Sequence, residues 1–158
     1  EKKSLGANTT RPLNHAAKVG DYMTRKLATL TPDMEVMEAV HLLVNKRISG
    51  APVLDKHGNL VGVLTEKDCM QVLLKAGYHG EFGGHVSEFM HSPAVTVEAG
   101  TPIMEVAERF ANSPYRRFPV TEEGRLVGQI SRRDVLSALQ ELAEQFTDRY
   151  HGAVRERR

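Results

Sequence analysis

Leu60-Val-Gly-Val-Leu-Thr-Glu-Lys-Asp68 and Leu126-Val-Gly-Gln-Ile-Ser-Arg-Arg-Asp134 are two versions of one phrase, 66 residues apart. Each runs from a β-favouring stretch through a glycine to a hydroxyl residue, with an aspartate three positions further on. That order reads as a strand, a helix cap and the first turn of a helix. Outward from it the match continues at an offset of 67: Pro52-Val53 faces Pro119-Val120, and Glu35-Val-Met-Glu-Ala39 faces Pro102-Ile-Met-Glu-Val106. Further upstream, Val19-Gly-Asp-Tyr-Met-Thr24 faces Val86-Ser-Glu-Phe-Met-His91. The one lost residue falls in the turn before Leu60 and Leu126, where structural units tolerate deletion. The period is too long for a solenoid and occurs only twice, so the chain reads as a pair of units packed as one module.

Each copy has the same coarse pattern. Leu27–Thr31 and Ala94–Val97 are short β-leaning stretches. An amphipathic helix follows, with Val36, Val40, Leu43 and Val44 on one face in copy one and Ile103, Val106, Ala107 and Phe110 in copy two. In copy two, Thr101 is a good N-cap and Pro102 suits the first helical position. Strands are expected at Ala51–Asp55 and Phe118–Thr121, then turns, then strands at Leu60–Leu64 and Leu126–Ile130. Thr65 and Ser131 cap closing helices that run to about Ala76 and Gln145. The expectation is an α/β protein of two β-α-β-β-α repeats related by pseudo-twofold symmetry. Its parts are an N-terminal segment (1–17), repeat one (18–76), a Gly-rich linker (77–85), repeat two (86–146) and a C-terminal tail (147–158). Gly77–Gly84, with four glycines in eight residues, reads as a loop, and both polar tails read as mobile.

Composition narrows the class. The chain has 158 residues, 21 Lys and Arg against 20 Asp and Glu, and a net charge of +1. Such balance gives no general attraction for nucleic acid or a membrane surface. A single cysteine, Cys69, excludes an internal disulfide framework and fits a reducing compartment. No apolar run nears the roughly 18 residues of a membrane span and no signal peptide is evident. A cytoplasmic protein is expected.

The chemistry-bearing pattern is the hydroxyl residue and aspartate behind the strand glycines. Taken alone, Thr65 with Asp68 and Ser131 with Asp134 are capping boxes. Gly62 and Gly128 shift the balance beyond a plain cap, because a mid-strand glycine at both equivalent positions signals a close backbone approach or a bulge. Free amides at a helix start attract phosphate, and a short acid beside them can accept from ribose hydroxyls.

The ordered set resembles a tandem pair of cystathionine-β-synthase (CBS) domains, a Bateman module, over about Val19 to Phe146. It is carried by Val19–Thr24, Ile48–Asp55 and Leu60–Asp68 with their partners Val86–His91, Arg117–Val120 and Leu126–Asp134. The resemblance implies a stand-alone regulatory module with no catalytic residues and no required cofactor or metal. Such modules bind AMP, ADP, ATP or S-adenosylmethionine in clefts between the repeats and often dimerise. Carried over, one cleft combines Ser131 and Asp134 with Thr29 and the strand entry Ile48, Ser49, Gly50 and Ala51. The other combines Thr65 and Asp68 with Thr96 and Tyr115, Arg116, Arg117 and Phe118. The aspartate would hold the ribose, and the hydroxyl residue and nearby cations the phosphates.

The Ile48–Ala51 entry is small and apolar, and its helix start carries Arg132 and Arg133, cations suited to phosphate. The other entry is bulky, and Glu66 joins Lys67 at its helix start. The Asp134 cleft is therefore the expected nucleotide site, with Arg116 and Arg117 able to reach phosphates across the groove. Cys69, at a helix start that would lower its pKa, has no partner for a nucleophile site and reads as packing. His79, His85 and His91 recur every six residues, which fits no common zinc pattern and reads as loop polarity. The methionines read as core or dimer packing. The functional expectation is an adenine-nucleotide sensor, a homodimer, that signals to a regulated protein by changing shape. The competing reading is a ligand-free dimerisation scaffold. Nucleic-acid binding through the arginines and basic tail is disfavoured by neutral charge and few aromatics.

Overall fold

In the computed structural model the described residues are 17–157, with side chains described through residue 148. The expected mobile N-terminal segment lies, apart from Ala17, outside them. The elements in chain order are α1 (Val19–Tyr22), α2 (Val36–Lys46), β1 (Gly50–Leu54), β2 (Leu60–Thr65), α3 (Glu66–His79), α4 (Val86–Phe89), β3 (Val97–Glu98), α5 (Ile103–Ala111), β4 (Arg117–Glu122), β5 (Arg125–Ser131) and α6 (Arg132–Arg157). The mixed α/β architecture expected from the repeat is the one found.

Two compact units result, and each borrows from the other sequence copy. One gathers residues 17–25, Val97–Glu122 and 127–157; the other holds Lys26–Thr96 and Glu123–Leu126. In the first unit the sheet order is β3-β4-β5, with β3 parallel to β4. Its core is built from Val19, Val97, Ile103, Val106, Phe110, Phe118, Val120, Ile130, Val135 and Ala138. In the second unit β1 and β2 pair antiparallel around a core of Leu30, Ala39, Leu43, Ala51, Val53, Leu64, Cys69 and Val86. Val19 of copy one and Val86 of copy two are both fully buried, each in the core of the unit that carries mostly the other copy.

Backbone hydrogen bonds show why. The Val19 amide donates to the Thr101 carbonyl at 2.9 Å, and the Ile103 amide donates to Ala17 at 3.0 Å. In the second unit the Val86 amide donates to Met34 and the Val36 amide to Gly84, both at 2.9 Å. Two helix starts thus satisfy each other's orphan amides through the preceding backbone. The expected Thr101 side-chain cap is accordingly not used. Pro102 is the cap residue of α5; its hydrocarbon ring has no acceptor to offer, and the Ala17 carbonyl takes the Ile103 amide instead.

Other expectations shift at the element ends. The Leu27–Thr31 strand shrinks to a single parallel bridge between Leu30 and Val53, and its copy-two counterpart to the two residues of β3. The closing helix of copy one continues past Ala76 through Gly77 to His79, ending where Gly80 adopts φ 72°. A glycine within a last turn costs little, so the stop is set by the left-handed cap and not by glycine content. The final helix likewise runs beyond Gln145 to Arg157. The lost residue lies where the repeat placed it. The β1–β2 connection is Asp55 to Asn59, where the Asp55 carboxylate accepts from the His57 and Asn59 amides at 2.9 Å. Between β4 and β5 only Glu123 and Gly124 intervene, both at positive φ as a tight hairpin requires.

Candidate functional site

Ser131 ends β5 and Asp134 lies in the first turn of α6. The Asp134 Oδ2 accepts from the Ser131 amide at 2.9 Å, and the Asp134 amide donates to the Ser131 hydroxyl at 3.1 Å. The capping box is therefore real, but it uses only one carboxylate oxygen. Oδ1 has no hydrogen-bond partner among the described residues. Asp134 is half-buried and lines a cavity of about 460 Å³ together with Thr24, Arg116, Arg117, Gln129, Ser131, Arg132 and Arg133. That volume lies within the usual range for small-molecule sites. A carboxylate with a spare acceptor among four guanidinium groups can bind a ligand carrying both hydroxyls and anionic groups.

The guanidinium groups are not equivalent. Arg132 spends its Nε on the Tyr115 carbonyl at 2.8 Å and an Nη on the Ser113 carbonyl at 3.2 Å. It ties the α5–β4 connection to α6 and at the same time lines the cavity. Arg116 and Arg133 are exposed, and neither side chain has a hydrogen-bond or ion-pair partner among the described residues. Arg116 and Arg117, expected beside Asp68, line the same cavity as Asp134. The Phe118 ring is 1% exposed, 4.6 Å from the Phe110 ring and beneath the Arg109 guanidinium at 4.7 Å. A ring so placed belongs to the core, and only the Phe118 backbone is left for a ligand. Tyr115 stays partly exposed, its ring 5.4 Å from Phe118.

The counterpart in the second unit differs in one decisive contact. Asp68 Oδ2 accepts from the Thr65 amide at 2.8 Å and the Thr65 hydroxyl at 2.9 Å. Its Oδ1 lies 2.8 Å from the His91 Nε2. Both carboxylate oxygens are thus taken, and Asp68 is only 4% exposed. Of the other expected residues, Thr29 is exposed, Ile48 and Ser49 are half-buried, and Gly50 and Ala51 are buried in β1. The Ser49 carbonyl accepts from the Glu66 amide at 2.9 Å. Thr96 is half-buried just before β3.

Sequence reasoning missed Thr24 and His91, although they close the two matched phrases Val19–Thr24 and Val86–His91. The backbone of each pairs beside a strand glycine. Thr24 bridges to Gln129 and His91 to Val63, with hydrogen bonds of 2.8–3.0 Å. A Cβ on Gly128 would meet the Thr24 carbonyl at 2.8 Å, and one on Gly62 the His91 carbonyl at 2.7 Å. The glycines therefore admit the protein's own chain. Cys69 is packed in the core, as expected, but its expected low pKa is corrected: burial, with Asp68 and Glu66 nearby, pushes its thiol up to about 11. Desolvation overrides the helix dipole there. Among the described residues no cluster of three His, Cys, Asp or Glu side chains could hold a metal ion.

The family pattern of the CBS domain matches twice, over residues 19–75 and 86–141. The chain belongs to the CBS-domain family. Among CBS relatives, the chloroplastic CBSX1 of Arabidopsis thaliana is 29% identical over 163 residues, covering 85% of this chain and 69% of that protein. MJ1225 of Methanocaldococcus jannaschii is 27% identical over 121 residues, 77% of this chain; the chain spans only 42% of that protein's length. The crystal structure of the CBS protein CBSX2 in complex with AMP superposes with a TM-score of 0.71 at 29% identity, over 80% of this chain and 98% of that one. The CBS domain pair of MJ0100, in complex with 5′-methylthioadenosine and S-adenosyl-L-methionine, gives 0.65 at 25% identity, over 78% and 99%. Among the described residues no helix is long and apolar enough to cross a membrane.

Proposed function

We propose that this chain is a regulatory module that binds an adenosyl ligand, AMP, ADP, ATP or S-adenosylmethionine, at Asp134 and carries out no catalysis. The observation that carries the reading is the spare Asp134 Oδ1 in a cavity lined by Arg116, Arg117 and Arg133. A carboxylate suits ribose hydroxyls, and guanidinium groups suit phosphate. The CBS relatives bound to AMP and to S-adenosylmethionine support the same ligand class. Ser131 and Thr24, which line the same cavity, would add hydroxyl contacts. Ligand binding favours one of two conformations, and a partner protein reads the difference. The expected location is the cytoplasm.

Calorimetric titration of the purified protein with each of the four compounds tests this. One of them binds, and Asp134→Ala weakens it at least tenfold, more than Asp68→Ala does. Equal losses in the two variants overturn the choice of site. Failure of all four to bind overturns the sensor reading and favours the ligand-free dimerisation scaffold. That second reading is supported by the exposed Met37 and Val44 on α2 and Met70 and Leu74 on α3. Dimerisation is compatible with both readings.

A further inference from the structure

From the contact between His91 and Asp68 we infer that His91 is a built-in plug: it occupies the second aspartate of the pair and so restricts the chain to one adenosyl ligand. The inference rests on the Asp134 reading for its ligand class, but its own basis lies in the second unit. Asp68 and Asp134 follow their hydroxyl residues identically, and both accept from the backbone amide of that residue. Thr24 and His91 also occupy matching backbone positions, each bridged to a strand beside its glycine. What differs is the side chain that the bridge presents. Threonine is short, and at Asp134 it leaves Oδ1 without a partner and lines an open cavity. Histidine is long enough to bring Nε2 to 2.8 Å from the Asp68 Oδ1.

The contact is more than incidental surface polarity. Asp68 is 4% exposed, its Oδ2 is already served by Thr65, and a buried carboxylate oxygen without a donor is costly, so His91 supplies the donor that Oδ1 otherwise lacks. A ribose arriving at Asp68 must displace the imidazole before its hydroxyls can reach the carboxylate. The His91 side chain itself is 68% exposed. It is therefore replaceable without opening the core, and its only described side-chain partner is Asp68. His91 acts as a determinant of stoichiometry and specificity by filling the acceptor that an adenosyl ligand would use.

The test is calorimetric titration of four full-length chains with AMP and with S-adenosylmethionine: wild type, His91→Thr, Asp134→Ala and the double variant His91→Thr/Asp134→Ala. Wild type binds one equivalent per chain, and His91→Thr, which installs the residue found at Thr24, binds two. The double variant keeps one equivalent where Asp134→Ala alone binds none. A wild-type stoichiometry of two, or a His91→Thr variant that gains no site for either probe, overturns the plug. A wild type that binds nothing while His91→Thr binds one equivalent fells the Asp134 reading and leaves the plug standing. Circular-dichroism melts confirm that the variants fold. His91→Ser, equally short, gains the same site if threonine itself perturbs the bridge.

Discussion

A glycine in mid-strand gives up side-chain packing, yet β2 and β5 each place one where the chain passes closest to itself. At Gly62 an added Cβ would lie 2.6 Å from the Met90 sulfur and 2.7 Å from the His91 carbonyl; at Gly128 the distances are 2.7 Å to Met23 and 2.8 Å to the Thr24 carbonyl. The methionines can swing away, but the bridged carbonyls cannot without breaking their hydrogen bonds. Gly62→Ala and Gly128→Ala should each destabilise by about 1–3 kcal/mol in urea melts, the usual range for overpacking. Wild-type stability in both would show that the bridges are dispensable. Cys69 offers a second test at this scale. Its folded thiol is raised from 9.0 to about 11, so the folded state holds the proton while the unfolded state releases it. The associated stability is full below pH 9 and is lost as pH rises from about 9 to 11. Melting midpoints should fall across that window more steeply in wild type than in Cys69→Ala. Parallel slopes would show that the thiol is not held protonated.

Helix starts are where sequence patterns and the folded chain part company most instructively. Thr65 and Thr101 look alike as capping residues, but only Thr65 is used. Its hydroxyl accepts from the Asp68 amide at 3.2 Å and donates to the Asp68 carboxylate at 2.9 Å. Thr65→Ala should therefore cost about 1 kcal/mol of stability. Thr101→Ala should stay within about 0.5 kcal/mol, since the Ala17 backbone caps α5 in its place. Equal costs in chemical denaturation would contradict the backbone cap. The repeat made the α/β pattern, the β1–β2 and β4–β5 pairs and the Asp134 capping box legible, because all are local. What it hid came from far along the chain. Nothing local to Thr101 announces the Ala17 carbonyl, and nothing near Asp68 announces His91. The Phe118 ring likewise looked available beside Arg117, but Phe110 and Arg109 of the preceding helix draw it into the core. The one visible hint at Asp68 was the alignment of Thr24 with His91, a difference whose chemistry shows only when the bridge is seen.

For the whole chain, the covalent repeat and the folded unit are different objects. Repeat one as the sequence draws it, 18–76, contains Val19 without the Ala99 and Thr101 carbonyls that receive Gly20 and Val19. It also lacks Val86, fully buried among Leu30, Ala39 and Leu43, and the partly buried Phe89 and Met90 packed beside it. Burying one such side chain contributes about 1.5–3 kcal/mol, and a domain of about 60 residues is marginal to begin with. A fragment 26–96 keeps α4 and the whole of that core, and omits only the Glu123–Leu126 turn from its unit. It should unfold cooperatively in urea, with dispersed amide resonances, whereas 18–76 should show neither. If 18–76 folds as well as 26–96, the α4 segment is an ornament and not part of the unit. If only 26–96 folds, residues 85–91 are integral to it. The step from Val86 to His91 would then do two jobs at once, completing a core and delivering to Asp68 the imidazole that sets the two aspartates apart.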